Sequence, residues 1–558
     1  MTDLLVRSQA VDLADRFWQW FLARQPIYAT VLGDDRYDDR LPDPSAQGRA
    51  EEVAALKGFL SDVKEMDRQG LDQEDVITLD MLEVVARIWL RQHQHDVHHF
   101  EAMDQMAGPQ NLPGDLSRFQ RVDTPERIDR LIRRLEAFPQ YLAEHRANLL
   151  DGIAAGRTAA APVVARVIEQ TRRAVEAPVD ESPLLIAHPE LDDESRQRIR
   201  AAIEEYVAPA LVDHLAALEG YAEFARTGEG IWALPDGREL YETMILASTT
   251  LEETPEAIHQ YGLDQLELIR EETVGIASEL GFDDVASMRR ALESEKSNYA
   301  ADSAEIVERA RRQIEKANAA APALFGRLPK APCEVRAVEP YQEAEAPPAF
   351  YFPPAPDGSR GGIYFVNTYQ PENRPLYRLA ATTYHEATPG HHFQIAIEGE
   401  LDDLPDFRRF GSRLTGAAYP EGWGLYSERL ADEMNLYESA WERLGMLDAQ
   451  AWRAARLVVD TGIHAFRWSR EQSVELLITV GLSRLEAETE TDRYIAWPGQ
   501  ALAYMTGMRE IVALRRLLEE RDGDRFDIVN FHDELLGHGT LPLATLRREL
   551  PGWVKPRD

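Results

Sequence analysis

Residues 382–394, TTYHEATPGHHFQ, place His385, Glu386, His391 and His392 within eight positions. Neutral imidazole nitrogens and carboxylate oxygens bind zinc, and a catalytic site uses three such ligands and keeps a fourth position open. In the pattern H-E-x-x-H, two histidines one helical turn apart share the metal, and the glutamate beside the first acts on water. Here the residue four places after His385 is Pro389. On an ideal helix His391 would lie about 120° off the face of His385, and His392, though aligned, about 10 Å along the axis. A straight helix serves neither. Pro389 cannot donate to the carbonyl of His385, and its ring crowds that carbonyl. Gly390 tolerates dihedrals closed to other residues. A bulge or kink at Pro389-Gly390 would absorb the extra residues and return His391 or His392 to the metal. A metal-free reading stands beside this one, since clustered histidines also form hydrogen-bonded polar helix ends.

A third ligand is expected from YPEGWGLYSERL, residues 419–430. Glu421, Leu425 and Glu428 share one face at helical spacing. Glu421, 30 residues after His391, is the expected ligand. Glu428 either orients a ligand histidine or replaces Glu421 as ligand. Each glutamate alone also fits a solvated helix face. A second histidine group, RQHQHDVHHF, holds His93, His95, His98 and His99. His95 and His99 are four apart, but no glutamate follows the first histidine, and a solvated helix face is expected there.

The elements that must position these residues are mostly helices. Over residues 123–153, Thr124 or Asp123 caps a run of helical periodicity that carries a proline near its first turn. Over 254–281, Thr254 is the expected cap, Pro255 the first helical residue and Gly281 the stop. Segments 49–66, 73–97, 158–176, 190–227 and 301–319 read alike, and no fixed repeat period appears. The exception is residues 321–368, rich in proline, with short β-like runs CEVRAVE, AFYFPP and GGIYFVNT. The last two flank APDGSRG, which has turn chemistry. A small sheet with a hairpin is expected just before the histidine cluster, folded into one large helical domain with two lobes that spans residues 1–558.

The chain has 558 residues, long enough for a large core. Its net charge of −36 disfavours nucleic acid and anionic membranes as partners. One cysteine, Cys333, allows no disulfide within the chain. No run of about 18 apolar residues occurs. The first 25 residues place Val11, Leu13, Phe17, Trp18, Phe21 and Leu22 as on an amphipathic helix rather than in a signal peptide. The expectation is a cytoplasmic protein of unreadable oligomeric state.

HEATPGHH followed by EGWGLYSE resembles the bacterial family catalogued as domain-of-unknown-function family 885. PIYATVLGDDRYDDRLPDPS, GGIYFVNT, VVDTGIHAFRWSREQ and RYIAWPGQALAYMTG are similar to its other blocks, in order, over residues 26–510. Members of that family often carry a lysine where this chain has Met505, so any role of that lysine is absent here. The family is similar to helical zinc peptidases of the gluzincin kind, such as angiotensin-converting enzyme and the oligopeptidases. That resemblance implies a mainly α, zincin-like body with two lobes around a deep channel, and a small β-sheet next to the metal helix. It makes His391 the first choice of second ligand, His392 the second, and Zn²⁺ the cofactor.

The expected chemistry is peptide hydrolysis. Zinc is held by His385, His391 and Glu421, and Glu386 takes a proton from water and passes it to the leaving amine. His464 and Tyr504, with Tyr494 behind them, are the candidate donors to the oxyanion. Tyr364 and Asn367 would touch an extended peptide added to the edge of GIYFVN. Two rival readings are a metal-dependent hydrolase of another amide or ester, and an inactive relative that binds peptides. The intact Glu386 argues against the second.

Overall fold

The computed structural model describes residues 8–339, 343, 346–355, 358 and 360–557. The protein is mainly helical with one three-stranded sheet. Among the described residues no helix is long and apolar enough to cross a membrane. The chain divides into two compact units. The first comprises Met1–Met244, Gly462–Gln472 and Glu488–Pro498; the second comprises Ile245–Thr461, Ser473–Ala487 and Gly499–Asp558.

The first unit is built from amphipathic helices. Gln9–Arg24 starts at Ser8, whose hydroxyl accepts from Val11 N–H, and buries Leu13, Phe17, Trp18, Phe21 and Leu22. The run expected over 123–153 is two helices, Pro125–Glu136 and Phe138–Ala155. Each carries a proline in its first turn, where the missing N–H costs nothing. Residues 190–227 also divide, with a π-helical turn at Ile203–Val207 between Asp193–Ala202 and Ala208–Tyr221. Leu131, Leu135, Phe138, Leu142, Ile199 and Leu211 share one core there.

The histidine-rich stretch of this unit is not the solvated helix face expected of it. The helix Gln73–Gln94 ends before His95, and His98 and His99 lie in a short 3₁₀ turn. His95 Nδ1 pairs with Asp236 at 2.5 Å, and His93 Nε2 lies 3.3 Å from Glu52. His99 is buried. His93 and His95 thus serve separate ion pairs, while the rings of His98 and His99 lie against each other with centroids 4.3 Å apart.

The second unit holds the sheet. Strands β1 (Cys333–Ala337), β2 (Ala349–Phe352) and β3 (Gly362–Val366) lie in the order β1-β3-β2. The expected hairpin pairs β2 with β3 in antiparallel register, Tyr351 opposite Tyr364. Its turn, APDGSRG, falls partly outside the described residues. β1 runs parallel to β3. Val335, Tyr364 and Val366 pack on Ile306, Ala310 and Ile314 of helix α1 (Ser303–Ala320), with Leu379 of α2 (Leu379–Glu386) closing the cluster.

β3 is the central strand, so both its edges are already paired. It therefore has no edge for a substrate peptide to join, contrary to the expectation. Tyr364 is fully buried, with its hydroxyl 3.4 Å from Thr383 Oγ1. Asn367 is also buried, and its amide donates to the carbonyls of Glu343, Ala346 and Pro347. Both hold the sheet together rather than facing a ligand.

Four more helices complete the frame: α3 (His391–Gly399), α4 (Ala418–Glu433), α5 (Ala440–His464) and α6 (Ala503–Asp522). Gly422 of α4 and Gly507 of α6 let the two backbones touch. A Cβ on Gly507 would stand 1.7 Å from the Ala418 carbonyl oxygen, and one on Gly422 would stand 2.4 Å from the Gly507 carbonyl carbon. The close crossing holds Glu421 and Tyr504 on neighbouring turns of two facing helices.

Candidate metal centre

Between α2 and α3 the chain breaks rather than kinks. α2 ends at Glu386, the Thr388–Pro389 bond is cis, and α3 begins at His391. Gly390 is demanded by close approach, because a Cβ there would lie 1.9 Å from the His385 carbonyl oxygen. The Trp423 indole N–H from α4 donates to the carbonyls of Pro389 (2.9 Å) and Gly390 (3.1 Å), and Ser427 donates to Pro389. These bonds satisfy carbonyls that the broken helix leaves free.

The break turns His391 back to His385. Their rings meet edge to face with centroids 4.8 Å apart. Glu421 Oε2 lies 3.4 Å from His385 Nε2 and 3.5 Å from His391 Nε2. Two donors bound to one tetrahedral ion at about 2.0–2.2 Å stand roughly 3.4 Å apart, so these separations match those of ligands around a shared ion. A Glu386 carboxylate oxygen also lies within 4.8 Å of the histidine donor atoms, the one such group among the described residues. Glu421, nearer to both Nε2 atoms, fits the ligand position, which leaves Glu386 beside it.

His392 faces elsewhere. Its Nδ1 hydrogen-bonds the Tyr351 hydroxyl of β2 at 2.9 Å. Burial pushes its pKa down to about 4, against a hydrogen bond to the Ala331 backbone. It anchors α3 to the sheet and stands apart from the His385–His391 pair.

Glu428 lies two turns beyond Glu421 on α4 and is buried. Its Oε1 accepts from His385 Nδ1 at 2.8 Å. That bond assigns the Nδ1 proton and leaves Nε2, the nitrogen that would bind a metal, facing Glu421 and His391. Glu428 Oε2 accepts in turn from Gln450 of α5 at 3.2 Å. Gly424 makes the space, since a Cβ there would press within 2.8 Å of the His385 ring. His391 Nδ1 is buried with no protein partner, so no neighbour fixes the tautomer of that ring.

The carboxylates leave the site short of positive charge. Burial alone would lower the His385 pKa, but Glu421 and Glu428 together raise it to about 10. Glu421 is held well below the usual carboxylate range: burial opposes this, and His385 and His391 outweigh it. Burial lifts Glu386 above its ordinary value, against the pull of His391 and His385. The metal-free site thus binds a proton where a cation would fit.

A stability effect follows. The His385 pKa is raised in the folded chain above its ordinary 6.5. Its contribution is therefore fully present below pH 6.5 and is lost as pH rises towards about 10. Thermal melts of chelator-treated protein are expected to fall across that window, and His385→Gln is expected to flatten the fall.

Of the three expected oxyanion donors, Tyr504 of α6 is at this centre. Its ring stacks on that of His385 with centroids 6.3 Å apart. His464 and Tyr494 belong to the first unit. There His464 Nδ1 accepts from Ile231 N–H at 3.2 Å, and Nε2 donates to the Tyr494 carbonyl at 2.9 Å. Burial pushes the His464 pKa down to about 3. Both ring nitrogens are used, so His464 has no N–H left for a reacting oxygen; it holds the Gly462–Gln472 segment to the backbone of its own unit. Tyr494, equally buried, supplies the carbonyl that holds it. The sequence reading assigned no role to Gln450, Trp423 or Gly424: Gln450 stands in no pattern that marks it, and Trp423 and Gly424, though inside the EGWGLYSE block, show their contacts only in the fold.

The chain is similar over nearly its whole length to two solved proteins. One, titled "putative lipoprotein" from Colwellia psychrerythraea, is 28% identical, with 98% of each chain covered and a TM-score of 0.92. The other, titled "putative lipoprotein of unknown function" from Shewanella oneidensis, is 19% identical with a TM-score of 0.77 over 97% of this chain and 99% of that one, and shows the fold alone. No curated protein matches. The family model described as bacterial protein of unknown function, DUF885, matches residues 26–550, and the chain belongs to that family.

Proposed function

We propose that this protein is a zinc-dependent peptidase of the gluzincin kind, with His385, His391 and Glu421 as ligands. The observation that carries the reading is the pair of separations, 3.4 and 3.5 Å, from one Glu421 oxygen to two imidazole Nε2 atoms. An oriented Nδ1 proton on the first ring and a second carboxylate beside the trio support it. Bound zinc would polarise a substrate carbonyl and acidify a water molecule.

The chain's residues do the rest. Glu428 holds His385 in the ligating tautomer. Glu386, the carboxylate beside the ligand trio, accepts the proton of the attacking water and delivers it to the leaving amine. Tyr504 donates to the oxygen on which charge develops. The substrate is a peptide or a small amide.

Purified protein loaded with zinc is expected to cleave members of a short-peptide library, to lose that activity with a chelator and to regain it with zinc. Cleavage indifferent to chelation, or no cleavage of any peptide, overturns the reading. The proposal includes a cytoplasmic location; cell fractionation tests it, and recovery of the protein with membranes would contradict it.

A further inference from the structure

Next to the candidate centre α5 carries two arginines, Arg453 and Arg456. The Arg456 Cζ lies 4.4 Å from the centroids of both the Trp452 and the Tyr504 ring. The Arg453 Cζ lies 4.5 Å from Trp452 and 5.7 Å from Tyr504. Tyr504 is the ring that stacks on His385. A guanidinium lying on an aromatic face keeps its N–H donors in plane, free to form a fork.

Arg456 is buried, 2% exposed. Arg453 is only half-buried, and its hydrogen bonding is poor. Its Nη1 reaches the Ala449 carbonyl of its own helix at 3.5 Å, and its Nε is buried with no protein partner. Among the described residues no carboxylate lies within ion-pairing distance of it. Most arginines of this chain are paired, as Arg289 is with Asp448 and Arg515 with Glu433.

We propose that Arg453 binds a carboxylate of the substrate, with Tyr504 between it and the reacting bond. This rests on the peptidase reading and names its substrate class: peptides that present a free carboxylate close to the scissile bond. The carboxylate is either the C-terminal one or that of an acidic side chain. The competing role for Arg453, balancing the charge of Glu386, would act on all substrates alike.

The test uses the zinc-loaded full chain and three forms of one cleavable peptide: the free acid, its C-terminal amide, and the amide with a glutamate near its C-terminus. A charge-assisted fork is expected to favour the free acid over the plain amide by roughly 10- to 100-fold in kcat/KM, mainly through KM. Arg453→Met is expected to bring that ratio close to one, and Arg453→Lys, a charge without the fork, to recover part of it. A glutamate-bearing amide cleaved as well as the acid assigns the carboxylate to a side chain; one cleaved like the plain amide assigns it to the C-terminus. If Arg453→Met does not fold, the wild-type and Arg453→Lys ratios carry the comparison. Equal cleavage of all three peptides by wild type, or a ratio unchanged by substitution of Arg453, overturns carboxylate binding and leaves the peptidase standing. Cleavage of none overturns the peptidase reading and this proposal with it.

Discussion

Glu386→Gln is expected to lower kcat by roughly 10³-fold, within the range that one positioned base contributes, while zinc content stays that of the wild type. The amide matches the carboxylate in shape but cannot take a proton from water. Glu386 stands within 4.8 Å of the histidine donors, yet Glu421 is the carboxylate that lies between them. The base can therefore be removed without removing a ligand. Stability should hold or rise, because burial already disfavours the ionised form of Glu386. Kinetics on a library peptide, paired with elemental analysis and a thermal melt of the same sample, check the prediction. A variant with normal zinc and normal kcat would remove Glu386 from the chemistry.

The second large effect is on the metal itself. His385→Ala, His391→Ala and Glu421→Ala are each expected to retain no stoichiometric zinc after dialysis. Glu428→Gln, which leaves the three ligands and disturbs only the orientation of His385, is expected to weaken zinc binding by about 10- to 100-fold. His392→Ala should keep full zinc, since its ring hydrogen-bonds Tyr351. It should cost about 1–3 kcal/mol of stability by leaving the Tyr351 hydroxyl without that partner. Zinc loss in His392→Ala together with zinc retention in His391→Ala would reverse the ligand assignment.

How much of this was legible in the sequence depended on how local the cause was. Thr254 caps the helix Pro255–Glu279 through a bond to Ala257 N–H, and Gly281 follows at φ 81°, as residue types alone indicate. The break at Pro389-Gly390 was legible for the same reason. Which histidine it returns to the centre was not, because that depends on the dihedrals of the break and on Trp423, 33 residues further along, holding the freed carbonyls. The strands were visible as β-like runs. Their order was not, since placing β3 in the middle takes a parallel pairing with β1 across 29 residues of chain. That order removed the proposed edge and buried Tyr364.

His464 shows the limit from the other side. A histidine on a helix looks the same whether it awaits a substrate or is already engaged. Its partner Ile231 lies 233 positions away, beyond any local pattern. Gln450 and Arg453 share one helix, and nothing in their spacing separates the one that props Glu428 from the one beside Tyr504.

The most direct measurement is anomalous diffraction at the zinc edge from crystals grown with zinc. The account predicts one strong peak among His385 Nε2, His391 Nε2 and a Glu421 oxygen, at about 2.0–2.2 Å from each, with Glu386 close by and unligated. A peak held by other residues, or zinc-soaked crystals with these three side chains ordered and no ion between them, would contradict it.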